Sequence, residues 1–315
     1  MRVLITGGNG YVGRALTRRL YRAHEVWVLD NLRRSGLRFG PEELHCFRMA
    51  PVDIRDHDAV QDAFATIAPE VVIHLAAIHF IPECEGRPDD AIAINVVGTA
   101  NVLRACRPNT RVLFASSAAV YAPESTPHTE AGSHLGPMDV YGLTKLHGED
   151  FVRYFASQTG LDATIVRLFN VLGPGETNPH IAPAILAQLL RGKRTLRLGN
   201  VHPKRDYIHV EDAARGFATL ALKRHDDAQL DIVNLGSGKA YSVEEMVAAF
   251  AETMGEDLTI ESDPGRTRSV DRPFAAANLK TIKREYDWSP RFGFADSIRD
   301  LWNAPDIPPA LLEGS

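Results

Sequence analysis

Cysteine is scarce and scattered: Cys46, Cys84 and Cys106 leave an odd count and form no CxxC pair. That excludes a disulfide framework and suits a reducing compartment, so a cytoplasmic location is expected. No apolar run approaches the roughly 20 residues of a membrane helix. The opening Met1-Arg2-Val3-Leu4-Ile5-Thr6 runs straight into a glycine-rich loop with no small-residue cleavage site, so no secretory leader is expected either. Charge of one sign is also lacking. A net −5 over 315 residues gives no reason to expect nucleic acid or a membrane as partner. A phosphorylated ligand would therefore need a locally basic site. Twelve histidines are present, but none forms HExxH or pairs with cysteines at ligand spacing, so no metal site is expected. Internal repeats and low-complexity tracts are absent. What remains is ordinary for a globular chain, 44% hydrophobic and 24% charged, long enough to bury the core of one large domain or two closely joined ones.

Short apolar runs alternate with longer amphipathic stretches through the first two-thirds. Residues 3–6, 26–30, 71–76, 112–116 and 164–168 are short, rich in Val and Ile, and bounded by turns or polar residues, as buried strands are. Between them, 11–23, 58–67, 91–106 and 140–158 carry helical spacing. Such alternation predicts an α/β fold, a parallel sheet with helices on both faces in the doubly wound arrangement. After Asn170 the character changes. Residues 173–176 start a loop, 179–191 and 243–253 read as helices, and Pro and Gly recur near 264–273 and 289–293. Residues 1–170 are thus expected to form a dinucleotide-binding (Rossmann) domain, and 171–303 mainly a smaller C-terminal substrate-binding lid. Strands at 206–210 and 232–235 are expected to return to the main sheet, and 304–315 is a Pro-rich tail.

Thr6-Gly7-Gly8-Asn9-Gly10-Tyr11-Val12-Gly13 follows the first strand and opens the first helix, and Asp30 ends the second strand. Glycines there let the backbone turn sharply and bring N–H groups against a pyrophosphate, which the helix N-terminus also attracts. Gly13, one turn inside, lets helix and sheet pack closely. A carboxylate at Asp30 accepts ribose hydroxyls and repels a 2′-phosphate, which favours NAD over NADP. Arg33 and Arg34 follow closely and could hold that phosphate instead.

Tyr141-Gly142-Leu143-Thr144-Lys145 opens a helix, and Phe114-Ala115-Ser116-Ser117 ends a strand. Residues four apart lie on one helix face, so Tyr141 and Lys145 can address one cofactor. A tyrosine of ordinary pKa ~10 is a poor base at neutral pH. Lowering it by ~3 units takes ~4 kcal/mol, the scale of a neighbouring ammonium together with a nicotinamide cation. Lys145 is expected to supply that charge and hold the nicotinamide ribose, while Ser117 hydrogen-bonds the reacting oxygen.

With these motifs in this order, the chain resembles the extended short-chain dehydrogenase/reductase family, and within it the UDP-galactose 4-epimerase-like sugar-nucleotide enzymes. The resemblance runs through TGGNGYVG (6–13), LDNL (29–32), DIRD (53–56), HLAA (74–77), NVVGTANVL (95–103), SSAAVY (116–121), YGLTK (141–145), RLFNVLGPGE (167–176), RDYIHVED (205–212) and NLGSG (234–238), and extends roughly to Trp302. It implies that Gly7, Gly10, Tyr11, Val12, Gly13, Asp30 and Asn31 hold the cofactor. It puts Asp53 and Ile54 beside the adenine, Leu75-Ala76-Ala77 along the diphosphate and ribose, and Asn95 on the active-site wall. Asn170 would meet the sugar diphosphate, Arg205 would pair with its phosphates, and Arg268 and Asp271 match the RxxD that grips the nucleotide from the lid. It also implies a homodimer through the helices at 91–106 and 140–158, where Val96, Val97, Phe151, Val152 and Phe155 put apolar residues on more than one face.

Members of this group that remove water across C5–C6 carry an Asp-Glu pair after the Ser position, and decarboxylases a glutamate. Here those positions are Ala118 and Ala119, so both routes lack their proton shuttle. Epimerisation at C4 needs only that a 4-keto sugar turn over and take the hydride back, so a UDP-hexose or derivative is the expected substrate. The alternative is a 4-ketoreductase with the same triad. A non-catalytic nucleotide sensor is disfavoured because both Tyr141 and Lys145 stand. His79 and His180 depart from the pattern and read equally as pocket residues and as plain substitutions. Ala275 stands at the position that gates pocket size.

Overall fold

Strands that are apolar on both faces need cover on both, and here that requirement organises the molecule. In the computed structural model, which describes residues 1–34, 36–176, 178–223, 230–266 and 272–305, seven such strands form one sheet. They are β1 (Arg2–Thr6), β2 (Glu25–Leu29), β3 (Arg48–Ala50), β4 (Val71–His74), β5 (Arg111–Ser117), β6 (Asp162–Leu168) and, after three strands that lie elsewhere, β10 (Leu230–Leu235). Their order is β10-β6-β5-β4-β1-β2-β3, every pair parallel. The winding reverses between β1 and β4, and the crevice beyond the carboxyl ends at that point is where such sheets bind ligands.

One face is covered by α1 (Tyr11–Leu20) together with α8 (Val210–Leu222) and α10 (Lys280–Tyr286), and the other by α2 (His57–Ile67), α5 (Thr99–Ala105) and α6 (Val140–Thr159). The short α3 (Ile81–Gly86) and α4 (Pro88–Ile92) lead into α5. Residues 91–106, expected as one helix, are instead the end of α4, a π-helical turn at Ala93–Gly98, and α5. The turn widens where the Thr99 hydroxyl donates to the Asn95 carbonyl at 2.6 Å. At Gly98 an added Cβ would lie 2.6 Å from Ile54 Cδ1, so any larger residue there would have to turn that side chain aside. α8 has no counterpart among the expected helices, although Val210, Ala213, Ala214, Phe217, Leu220 and Ala221 form a buried helical stripe.

The second layer holds β7 (Asn170–Leu172), β9 (Lys204–His209), β11 (Ala240–Tyr241) and β13 (Phe274–Ala275) in one small sheet, and β8 (Thr195–Leu198) with β12 (Thr259–Ser262) in another. Around them α7 (Ile181–Leu190), α9 (Val243–Met254) and α11 (Phe294–Asn303) enclose their own apolar core. Of the two strands expected to rejoin the main sheet, only the one at 232–235 does so, as part of β10. The edge beside β6 is then filled, and β9 pairs with β7, β11 and β13 instead. No helix of the described residues is long and apolar enough to cross a membrane.

Candidate active site

A cleft of about 1320 Å³ opens between the sheet's carboxyl edge and the second layer. That exceeds the ~300–1,000 Å³ of a pocket for one drug-sized ligand, so it has room for a dinucleotide and a second ligand together. The glycine loop forms its floor. Gly7 has φ +70°, and a Cβ there would sit 2.7 Å from the Ala76 nitrogen. A Cβ at Gly13 would fall 2.2 Å from the Gly7 carbonyl, so helix and loop can close only without it. The α1 N-cap is Gly10, which carries no side chain to satisfy the first-turn amides. Those N–H groups, with Tyr11 and Val12 beside them in the cleft lining, are left to an incoming anion.

Asp30 stands at the end of β2 with both oxygens engaged by backbone, from Leu32 N at 2.9 Å and Asn9 N at 3.1 Å. Burial raises its pKa and those two bonds oppose the rise. Asn31 donates to Asp53 at 2.9 Å, and Arg55 holds the Asp53 carboxyl far below its usual range. Asp53, Ile54, Leu75, Ala76 and Ala77 line the same wall. Arg33 and Arg34, which could have served a 2′-phosphate, are instead paired with Glu83 at 3.1 and 2.7 Å.

Ser117 closes β5, and its hydroxyl accepts from Ala119 N at 3.1 Å, which fixes the turn that follows. Asp139 caps α6 through Gly142 N at 2.7 Å and so sets where Tyr141 enters the cleft. Behind them lies a buried network. Glu149 takes the Ser116 hydroxyl at 2.6 Å and Arg167 Nη2 at 2.8 Å, tying the ends of β5 and β6 to the middle of α6. Ser117 stands close enough to Tyr141 to favour its ionised form, and Lys145 Nζ lies 5.9 Å from the Tyr141 ring centroid. The three side chains are therefore brought together at the cleft. Burial drives the Tyr141 pKa up, and Ser117 only offsets part of that. Burial likewise pushes Lys145 down to about 8, and its Nζ is turned to the Ala115 carbonyl at 2.8 Å.

Asn95 does not face the cleft. Fully buried, it bonds both backbone groups of Ile78 at 2.8 and 2.9 Å and the Thr144 hydroxyl at 2.9 Å. A side chain so enclosed cannot touch a cofactor, and it holds the wall from behind. His79, Asn170, His180 and Arg205 do line the cleft, with Ala275 pairing against Arg205 on β13. Arg268 and Asp271 lie outside the described residues. Three cleft residues went unread in the sequence. Arg272 donates to the Ala119 carbonyl at 2.8 Å and faces Asp139 at 3.7 Å; its place next to Asp271 was the available signal. Glu176 and Asn178 sit against His79, and nothing in their local spacing indicated it.

The sequence profile of the NAD dependent epimerase/dehydratase family matches residues 3–236. The chain is similar to the UDP-glucose 4-epimerase of Corynebacterium glutamicum, 31% identical over 322 residues that cover 96% of this chain and 95% of the relative. It is also similar to UDP-glucose 4-epimerase 1 of Oryza sativa subsp. japonica, 32% identical over 96% of this chain and 93% of the relative. Among solved structures, UDP-glucose 4-epimerase of Thermus thermophilus in complex with NAD superposes with a TM-score of 0.85 at 28% identity, over 96% of this chain and 98% of that one. MoeE5 in complex with UDP-glucose and NAD does so with a TM-score of 0.85 at 26% identity, over 97% and 98%.

Proposed function

The chain belongs to the NAD dependent epimerase/dehydratase family, and from that premise we propose that it is an NAD-dependent sugar-nucleotide 4-epimerase acting on a UDP-hexose or derivative through a transient 4-keto sugar. The observation that carries the reaction is what stands around Tyr141. The two positions after Ser117 are Ala118 and Ala119, and the acid beside them, Asp139, is committed to capping α6 and to Arg272. Among the described residues, no carboxyl is left over there for removing water or carbon dioxide from the keto sugar.

The residues fit the cofactor: a side-chain-free cap on α1 for the pyrophosphate, and Asp30 for the ribose, with Arg33 and Arg34 drawn off by Glu83. NAD, when bound, supplies the acceptor and later the donor of a hydride at C4. Tyr141 takes the proton from the C4 hydroxyl and returns it after the sugar has turned its other face. Ser117 holds that oxygen while the proton moves. Lys145 secures the ribose end, and Arg205 supplies the local positive charge that a diphosphate needs on an acidic protein. The reaction reading brings a cytoplasmic location with it, consistent with Cys46, Cys84 and Cys106 all being free.

Incubation with UDP-, dTDP-, GDP- and CDP-sugars, followed by NMR, tests the reading. Inversion at C4 of a UDP-sugar with no net NADH consumption is the expected result. Stoichiometric NADH consumption would make the protein a ketoreductase, and cofactor binding without turnover of any sugar would make it a sensor.

A homodimer through α4–α6 belongs to the same proposal. Val152 is core, and Phe151 and Phe155 pack partly against it, so those residues offer little to a partner. Ile92, Val97, Leu143 and Tyr154 are exposed instead, with Leu143 and Tyr154 on one stripe of α6. Light scattering should give twice 34.7 kDa, and Leu143→Glu should bring the mass to that of one chain. A wild-type monomer at micromolar concentration would overturn it.

A further inference from the structure

Two imidazoles and one carboxylate meet on the wall of the cleft from distant parts of the chain. His79 follows β4, whereas Glu176 and His180 flank the loop that leads into α7, and the ligand atoms of all three lie within 4.8 Å of one another. The rings of His79 and His180 face each other with centroids 5.7 Å apart and 28° between planes. Glu176 is only 7% exposed. A donor already lies between two of them: the Asn178 amide nitrogen is 2.9 Å from His79 Nε2 and 3.2 Å from Glu176 Oε1.

We propose that His79, Glu176 and His180 form a site for a divalent ion of the zinc class, with its remaining position open to the cleft. The donor set decides the class. Two imidazoles with one carboxylate suit zinc and its neighbours, whereas calcium and magnesium prefer all-oxygen shells. Bonds of about 2 Å in a tetrahedron set ligand atoms ~3.3 Å apart, so the group closes by up to about 1.5 Å around the ion. The ion takes the point now held by the Asn178 nitrogen. Arg34 reaches the Asn178 Oδ1 from outside, and its charge is matched by Glu83. The open position faces the space shared by both nucleotide ligands, where a diphosphate oxygen can complete the shell.

The test is a titration of the full-length, chelator-treated protein with zinc chloride by calorimetry, repeated with cobalt(II) and visible absorption. No nucleotide is present, so the outcome is independent of the epimerase reading. One ion per chain is expected with a micromolar or tighter Kd, and His180→Asn and Glu176→Gln should each weaken it at least tenfold. The cobalt spectrum should carry d–d bands without a thiolate charge-transfer band, which separates this site from the three cysteines. Melting curves accompany each variant; should Glu176→Gln unfold, His180→Asn, at the half-buried start of α7, carries the comparison. The site is refuted by an absence of binding at micromolar zinc, by variants that bind as the wild type does, or by a thiolate band.

Discussion

Lys145→Met should make the protein more stable and nearly inactive, and the stability gain should disappear in alkali. Lys145 is 3% exposed, and burial brings its pKa down to about 8 from an ordinary 10.5. Holding it charged in the fold therefore costs about 3 kcal/mol below pH 8, at roughly 1.4 kcal/mol per unit. Methionine has nearly the same length and no charge. Its drawback is the loss of the donor to the Ala115 carbonyl, about 1 kcal/mol. The net gain at pH 7 is then about 2 kcal/mol, or roughly 3 °C in Tm for a chain of this size. Between pH 8 and 10.5 the unfolded wild type binds the proton that the folded form has released, so wild-type stability rises with pH relative to the variant. By about pH 9.5 the rise amounts to about 2 kcal/mol and the two proteins should melt together. The assay is calorimetric melting of NAD-stripped protein at pH 7, 8.5 and 9.5, with turnover measured at pH 7, where a loss of at least roughly 10²-fold is expected. A variant that melts below the wild type at pH 7, or a gap that does not change between pH 7 and 9.5, would refute burial as what tunes this lysine.

Further outcomes follow from the same site and the network behind it. Tyr141→Phe should lower turnover by about 10²–10⁴-fold while leaving NAD affinity intact, with Ser117→Ala costing less; near-wild-type turnover would dissolve the triad. Because burial raises the Tyr141 pKa, its phenol should ionise in ultraviolet difference titrations at lower pH with NAD⁺ bound than without, and an unmoved curve would remove the nicotinamide charge from the explanation. Asp30→Ala should narrow the preference for NAD over NADP by roughly tenfold in fluorescence titration, and a wild-type preference for NADP would overturn the role given to this residue. Glu149→Gln should cost about 3–5 kcal/mol in urea unfolding at pH 7 by leaving Arg167 buried without its partner. Burial raises the Glu149 pKa, but Arg167, Ser116 and Arg153 together hold it below the ordinary 4.5, so the difference from wild type should be full above pH 4.5 and shrink as the pH falls through the lower folded value.

What could be read from the chain alone was whatever lies close together in it. The strand, glycine loop and helix of residues 2–20, the acid ending β2, and the i, i+4 pair of Tyr141 and Lys145 are local patterns whose geometry follows from helix and strand periods. The doubly wound order follows from the alternation of those elements, since few topologies can cover a parallel sheet on both faces. Where local pattern is ambiguous the chain alone misleads: α8 carries an amphipathic stripe directly after a run that reads as a strand, and β9 reads as belonging to a sheet whose edge β10 fills. Other features exist only once the chain has folded. Asn95 points into the protein and not the cleft because a π-helical turn rotates it there. The direction of the Tyr141 and Lys145 pKa shifts is a property of burial, which spacing along a helix does not encode. The meeting of His79 with Glu176 and His180, and of Glu149 with Arg167, depends on loops and strand ends brought to one place by the sheet. Periodicity is a short-range signal, whereas convergence of side chains across a crossover is set by packing of the whole domain.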